Sequence, residues 1–129
     1  MVQAGTRELL EDLQHRFRLG VISNSDGRVA QLLERCGVSG YFAGFTDSGQ
    51  VGHEKPHPAI FRHALEQLRV EPGHSLYVGD IYSVDYAGAV NAGMQAVLFD
   101  PSATYKDLQF ARIESLTALP AHIAHLQTL

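Results

Sequence analysis

Asp80 and Asp85 are the side chains with the clearest capacity for chemistry. Asp80 ends the short apolar run Leu76-Tyr-Val-Gly79, and Asp85 comes five residues later, at the head of the small-residue segment Tyr86-Ala-Gly-Ala-Val-Asn-Ala-Gly-Met94. Acids at a strand-to-helix turn stand at the carboxyl end of a strand, where open α/β sheets place their chemistry. Facing one site, the pair would hold a hard cation such as Mg²⁺ through oxygen ligands. Ser23 and Asn24 close a second apolar run, Leu19-Gly-Val-Ile22. A hydroxyl, an amide and the free N–H groups of a helix start suit a phosphoryl oxygen. Lys55, in Lys55-Pro-His-Pro58, would set a fixed positive charge beside those oxygens. Each residue also has an ordinary reading: Ser23 and Asn24 as turn and cap residues, Lys55 as a solvated loop lysine, Asp85 as an acid favoured by a helix dipole.

The elements that must position these groups follow from hydrophobic spacing. Leu9, Leu10, Leu13 and Phe17 recur at helical intervals over residues 6–17, with Thr6 placed as N-cap. Leu19 to Ser23 is apolar without alternation, as in a parallel strand covered on both faces. A helix over about 26–36 puts Val29, Leu32, Leu33 and Cys36 inward and ends at Gly37. Residues 40–52 are Gly-rich and predict a short strand near Ala43 to Thr46 followed by a loop. A helix over about 58–69 buries Ile60, Phe61, Ala64, Leu65 and Leu68, with Pro58 in its first turn. The strand Leu76 to Gly79, a helix over about 83–92 and the strand Ala96 to Phe99 come next. Residues 105–110 are irregular, Ala111 to Ile113 forms an edge strand, and a last helix over 116–126 turns Leu119, Ile123 and Leu126 inward and His122 and His125 outward. This order predicts one α/β domain spanning residues 1–129, a three-layer Rossmann-like parallel sheet.

Composition narrows the function classes. A net charge of −4 without a basic run argues against nucleic acid as a partner. No apolar run approaches the roughly 20 residues of a membrane helix, and no signal-peptide pattern opens the chain. One cysteine, Cys36, excludes an internal disulfide and fits a reducing cytoplasm. His53 and His57 have the spacing of a two-His ligand pair, but a Pro-interrupted loop does not hold them on one helix face, which disfavours zinc. A dinucleotide-binding role lacks its Gly-x-Gly-x-x-Gly.

Taken together, the chain resembles the haloacid dehalogenase-like superfamily of hydrolases, chiefly phosphatases. Val21-Ile-Ser23-Asn24 is similar to the second motif of that family, Lys55-Pro56 to the third, and Gly79-Asp80 with Asp85 to the fourth. The resemblance extends from about Gly5 to Leu126. It implies phosphate binding by Ser23, Asn24 and Lys55, catalytic roles for Ser23 and Lys55, and Mg²⁺ on Asp80, with Asp85 either a second ligand or a group fixing Lys55 and the metal's waters. The substrate class it implies is a phosphorylated small molecule or an inorganic anion.

The family's first motif, Asp-x-Asp at the end of the central strand, supplies the nucleophile and the general acid, and no Asp-x-Asp occurs in these 129 residues. The resemblance therefore implies an incomplete core, without its first strand and without a cap. Asp100, which ends the run Ala96-Val-Leu-Phe99, is no substitute. Ser102 stands where the acid belongs, Pro101 removes an amide, and the family's strand order puts this strand two places, roughly 10 Å, from the centre. The expectation is a Mg²⁺-dependent phosphatase-type core with little or no turnover alone and weak Mg²⁺ binding at best. The alternative is a non-catalytic dimerising or anion-binding module. In the family order the missing strand lies between the strands ending at Ser23 and at Asp80. That slot must be closed by direct pairing of those strands, by a second copy in a homodimer, or by a complementing N-terminal fragment.

Overall fold

The computed structural model describes residues 5–128. Helix α1 is Thr6–Gln14, strand β1 Gly20–Ser23, helix α2 Val29–Arg35, strand β2 Gly44–Asp47, helix α3 Ser48–Val51 and helix α4 Pro58–Leu68. Strand β3, Leu76–Gly79, passes through a π-helical turn, Tyr82–Tyr86, into helix α5, Ala87–Asn91. Strand β4 is Gln95–Phe99, strand β5 Arg112–Ile113 and helix α6 Leu119–Gln127.

All strand pairs are parallel, and they form two sheets: β1 with β2, and β3-β4-β5. Side chains of alternate strand residues enter two apolar clusters on opposite faces. Ile22, Tyr77 and Ala96 join Ile60, Phe61, Leu65, Ala89 and Met94 under α4 and α5. Leu19, Leu76, Val78 and Val97 join Leu13, Ile113 and Leu119 under α1 and α6. The result is the expected three-layer α/β arrangement, with the sheet interrupted between β1 and β3.

The interruption leaves a mark on burial. Val97 and Leu98, on β4 between two partner strands, are 1% and 0% exposed, whereas no residue of β1 or β3 is fully buried. The Leu19 carbonyl accepts from Ala43 N–H at 2.7 Å and the Ser75 carbonyl from Gln95 N–H at 3.1 Å. Successive residues of a strand turn their polar groups to opposite sides. The carbonyls of Gly20 and Ile22 on β1 and of Leu76 and Val78 on β3 therefore face the empty place between the sheets. Among the described residues, β1 and β3 do not pair, so direct pairing is not how the slot is closed.

Most expected elements are found within a few residues of their anticipated ends, and Gly37 closes α2 with φ 75°. Thr6 is the first helical residue of α1, and Gly5 holds the cap position with φ 86°. Leu32 is not inward but 58% exposed, because only seven residues of α2 are helical and its buried contact is made by Val29. The loop expected after β2 begins instead as α3, capped by Asp47, whose carboxylate accepts from Gly49 N–H. His122 is partly buried rather than outward. Its Nε2 is enclosed without a hydrogen-bond partner among the described residues, and burial together with His125 holds its imidazole below the usual range. No described helix is long and apolar enough to cross a membrane.

Candidate functional site

Two segments that follow strands are zipped together at the carboxyl end of the β1–β2 pair. Asp47, 1% exposed at the end of β2, accepts Gly27 N–H and Gly49 N–H on Oδ1, both at 2.9 Å, and Val29 N–H on Oδ2 at 3.0 Å. One carboxylate thus satisfies helix-start donors on both α2 and α3. Burial pushes its carboxyl up, but the amides of Val29, Gly49 and Gly27 outweigh that and hold it below the ordinary value. Ser48 Oγ receives Ser25 N–H at 2.9 Å and donates to the Ser25 carbonyl at 3.0 Å. The Asn24 amide grips the Lys55 backbone from both sides, Oδ1 accepting Lys55 N–H at 2.8 Å and Nδ2 donating to the Lys55 carbonyl at 3.2 Å. Chain order separates residues 24 and 55; this ladder brings them together at the mouth of the slot.

The Lys55 side chain then crosses to β3. Its Nζ lies 2.7 Å from Asp85 Oδ1 and 2.9 Å from the Tyr77 hydroxyl, with side-chain exposures of 12% for Lys55 and 4% for Asp85. Asp85 Oδ1 is also 3.2 Å from the Tyr77 hydroxyl. Its Oδ2 accepts Asp80 N–H at 3.2 Å and Ile81 N–H at 3.0 Å. Burial raises the Asp85 carboxyl, yet the Lys55 hydrogen bond and charge, the Ile81 amide and the Tyr77 hydroxyl bring it below its ordinary value. Burial, with the Asp85 charge beside it, raises the Tyr77 phenol far above its ordinary value, so the hydroxyl keeps its proton. The π-helical turn brings Asp85 back onto its own strand. A Cβ on Gly79 would lie 2.4 Å from both Cβ and Cγ of Asp85, so only glycine admits the carboxylate at that point.

The structure therefore gathers Lys55, Asp85 and Asn24 into one hydrogen-bonded unit, next to Ser23 at the end of β1. Ser23 itself is partly buried. Asn24 spends its amide on the Lys55 backbone, leaving one N–H and one lone pair for anything else. Of the two acids expected on a cation, Asp80 is exposed, while Asp85 has both oxygens committed to four protein donors. Asp85 is placed to hold Lys55. Mg²⁺ needs near-octahedral oxygen coordination, and among the described residues no three His, Cys, Asp or Glu side chains gather for a metal. The residues present therefore do not by themselves fit the ion.

His53 and His57 stack face to face with centroids 4.2 Å apart, and His57 Nδ1 accepts Ala59 N–H at 3.0 Å; stacked rings do not converge their lone pairs on one metal. Asp100 is a turn former. Its carboxylate accepts Thr104 N–H and Tyr105 N–H at 2.9 Å and Arg112 Nε–H at 3.0 Å.

Asp47 and Tyr77 were not among the expected site residues. An acid closing an apolar run before Ser48-Gly49 has the form of an N-cap. A tyrosine within a buried strand requires a partner for its hydroxyl. Both signals were present in the sequence, but neither names the partner.

Comparison with known proteins bears on the family and the fold. The sequence profile described as haloacid dehalogenase-like hydrolase matches residues 1–93. The chain is 37% identical over 103 residues to haloacid dehalogenase-like hydrolase domain-containing protein 3 of Xenopus laevis, covering 79% of this chain and 42% of that protein. It is 39% identical over 101 residues to a glyceraldehyde 3-phosphate phosphatase of Methanothermobacter thermautotrophicus, covering 77% and 45% respectively. The chain thus spans less than half the length of these curated relatives. Among solved structures, a HAD phosphatase from Thermococcus onnurineus superposes with a TM-score of 0.89 at 30% identity, over 95% of this chain and 58% of that one. A 2-haloacid dehalogenase from Pseudomonas syringae gives 0.86 at 34% identity, over 98% and 54%. With the profile matching well over half its length, the chain belongs to the haloacid dehalogenase-like hydrolase family.

Proposed function

We propose that this chain is the phosphate-and-lysine half of a phosphomonoester hydrolase site, completed when a further strand bearing a carboxylate enters the slot between β1 and β3. The observation that carries the reading is the position of Lys55. Its ammonium is held 2.7 Å from Asp85, at the carboxyl ends of the two strands whose inner edges are open. Ser23 and Lys55 would take the phosphoryl oxygens of a phosphorylated small molecule, and Lys55 would balance the charge that spreads over them in transfer. Asp80 would be this chain's contribution to a Mg²⁺ site. Relatives named for glyceraldehyde 3-phosphate and N-acylneuraminate 9-phosphate hydrolysis favour phosphatase over dehalogenase chemistry.

The slot's occupant would be a strand carrying the Asp-x-Asp pair that residues 1–129 lack, whichever polypeptide supplies it. Covalent catalysis needs the nucleophile that strand would bring, so the chain alone should release negligible phosphate from p-nitrophenyl phosphate with Mg²⁺. Adding a fragment that carries an Asp-x-Asp strand should restore release. Robust turnover by the pure chain would overturn the division of the site. Silence of the mixture would favour a non-catalytic, anion-binding module.

A further inference from the structure

The Tyr77 hydroxyl has no part in the reading above, yet it touches every element that meets at the slot. It accepts from Lys55 Nζ at 2.9 Å and stands 3.2 Å from Asp85 Oδ1 and 3.5 Å from the Ile22 carbonyl. Its ring is fixed from below by Phe61, 0% exposed, with centroids 5.3 Å apart in an edge-on arrangement. The Lys55 ammonium also lies 5.5 Å from the Tyr77 ring centroid.

A lysine has a flexible four-carbon stem and three donors. One carboxylate oxygen fixes its distance but leaves the ammonium free to pivot about that contact. A second acceptor on a rigid, packed ring removes the pivot. While its oxygen accepts from Lys55, the phenol keeps its one proton for Asp85 or for the Ile22 carbonyl on the open edge of β1. We infer that Tyr77 is a positioning residue: its hydroxyl fixes the Lys55 ammonium between Asp85 and the mouth of the β1–β3 slot. This rests on reading Lys55 as the cation that meets the phosphoryl group. A strand entering the slot would claim the Ile22 carbonyl and leave the phenolic proton wholly to Asp85.

The test uses the whole chain without substrate, so it is independent of turnover. In chain labelled at lysine Cε, the Lys55 order parameter should fall about twofold in Tyr77→Phe, towards that of exposed Lys106, while cooperative melting is retained. An unchanged Lys55 order parameter in a folded Tyr77→Phe overturns the inference. A second measurement needs no variant. In chain labelled at tyrosine Cζ, the Tyr77 signal in mixed H₂O and D₂O should split into two, as a hydrogen-bonded hydroxyl in slow exchange does. A single averaged Tyr77 signal would equally overturn it.

Discussion

The Lys55–Asp85 pair allows a quantitative test by double-mutant cycle. Asp85→Asn removes the charge facing a lysine that is 12% exposed, and it sets an NH₂ group against the Asp80 and Ile81 amides or against Lys55 itself. Breaking a buried pair from one side costs about 3–5 kcal/mol, mostly the penalty of the charge left behind. Lys55→Met keeps the apolar stem and leaves Asp85 with the Tyr77 hydroxyl and two amides, so about 1–3 kcal/mol is expected. The double variant should recover part of both losses, giving a coupling of about 1–3 kcal/mol. For a domain of this size a loss of 3–5 kcal/mol corresponds to a melting point lower by about 10–20 °C. Urea unfolding with unchanged slope is the assay. A loss below about 1 kcal/mol in Asp85→Asn would refute the argument that this pair is closed off from water. The pH dependence has a definite sign. The folded carboxyl is depressed, so its stabilisation is complete above the unfolded value of about 3.9 and is lost as pH falls from there through the folded value. The urea midpoint of the native chain should therefore drop more steeply below about pH 4 than that of Asp85→Asn.

Two further outcomes follow from the same geometry. Asp47→Ala strands two helix-start amides, of Val29 and Gly49, and the loop amide of Gly27 beneath a side chain that is 1% exposed, so a loss of about 3–5 kcal/mol is expected by urea titration, and one under about 1 kcal/mol would show that water replaces the carboxylate there. Calorimetry of the chain with Mg²⁺ should give at most weak binding, because Asp85 has no free oxygen to add to Asp80; micromolar affinity would contradict that accounting.

The strands and most helices were legible because each depends on local pattern. The run Leu76 to Gly79 is found unchanged as β3, and α4 begins at Pro58 as expected. The misplaced features depend on partners distant in the chain. Leu32 has inward spacing, but α2 is too short and peripheral to cover it. Asp47 was hidden in a Gly-rich stretch, and its function as a clamp requires Gly27 and Val29, about 20 residues earlier. For the site, residue types and strand ends were enough to select Ser23, Asn24, Lys55, Asp80 and Asp85. They were not enough to show that Asn24 would spend its amide on the Lys55 backbone, or that Asp85 would bind a lysine in preference to a cation. A motif records which groups meet, but the division of their lone pairs and protons is decided by packing.

That division bears on why half of a site would need both a strand and a cation. Lys55 is already neutralised by Asp85 at 2.7 Å, and exposed Asp80 adds a negative charge at the end of β3. A carboxylate brought in by a new strand would add to the charge of Asp80, and a phosphoryl group would add more. Lys55 cannot offset all three, since moving its charge towards the phosphate leaves Asp85 buried without a counterion. On the proposed reading, demand for a divalent cation therefore arises when the slot is filled. Mg²⁺ affinity and strand binding should each strengthen the other by the same factor, as linkage requires.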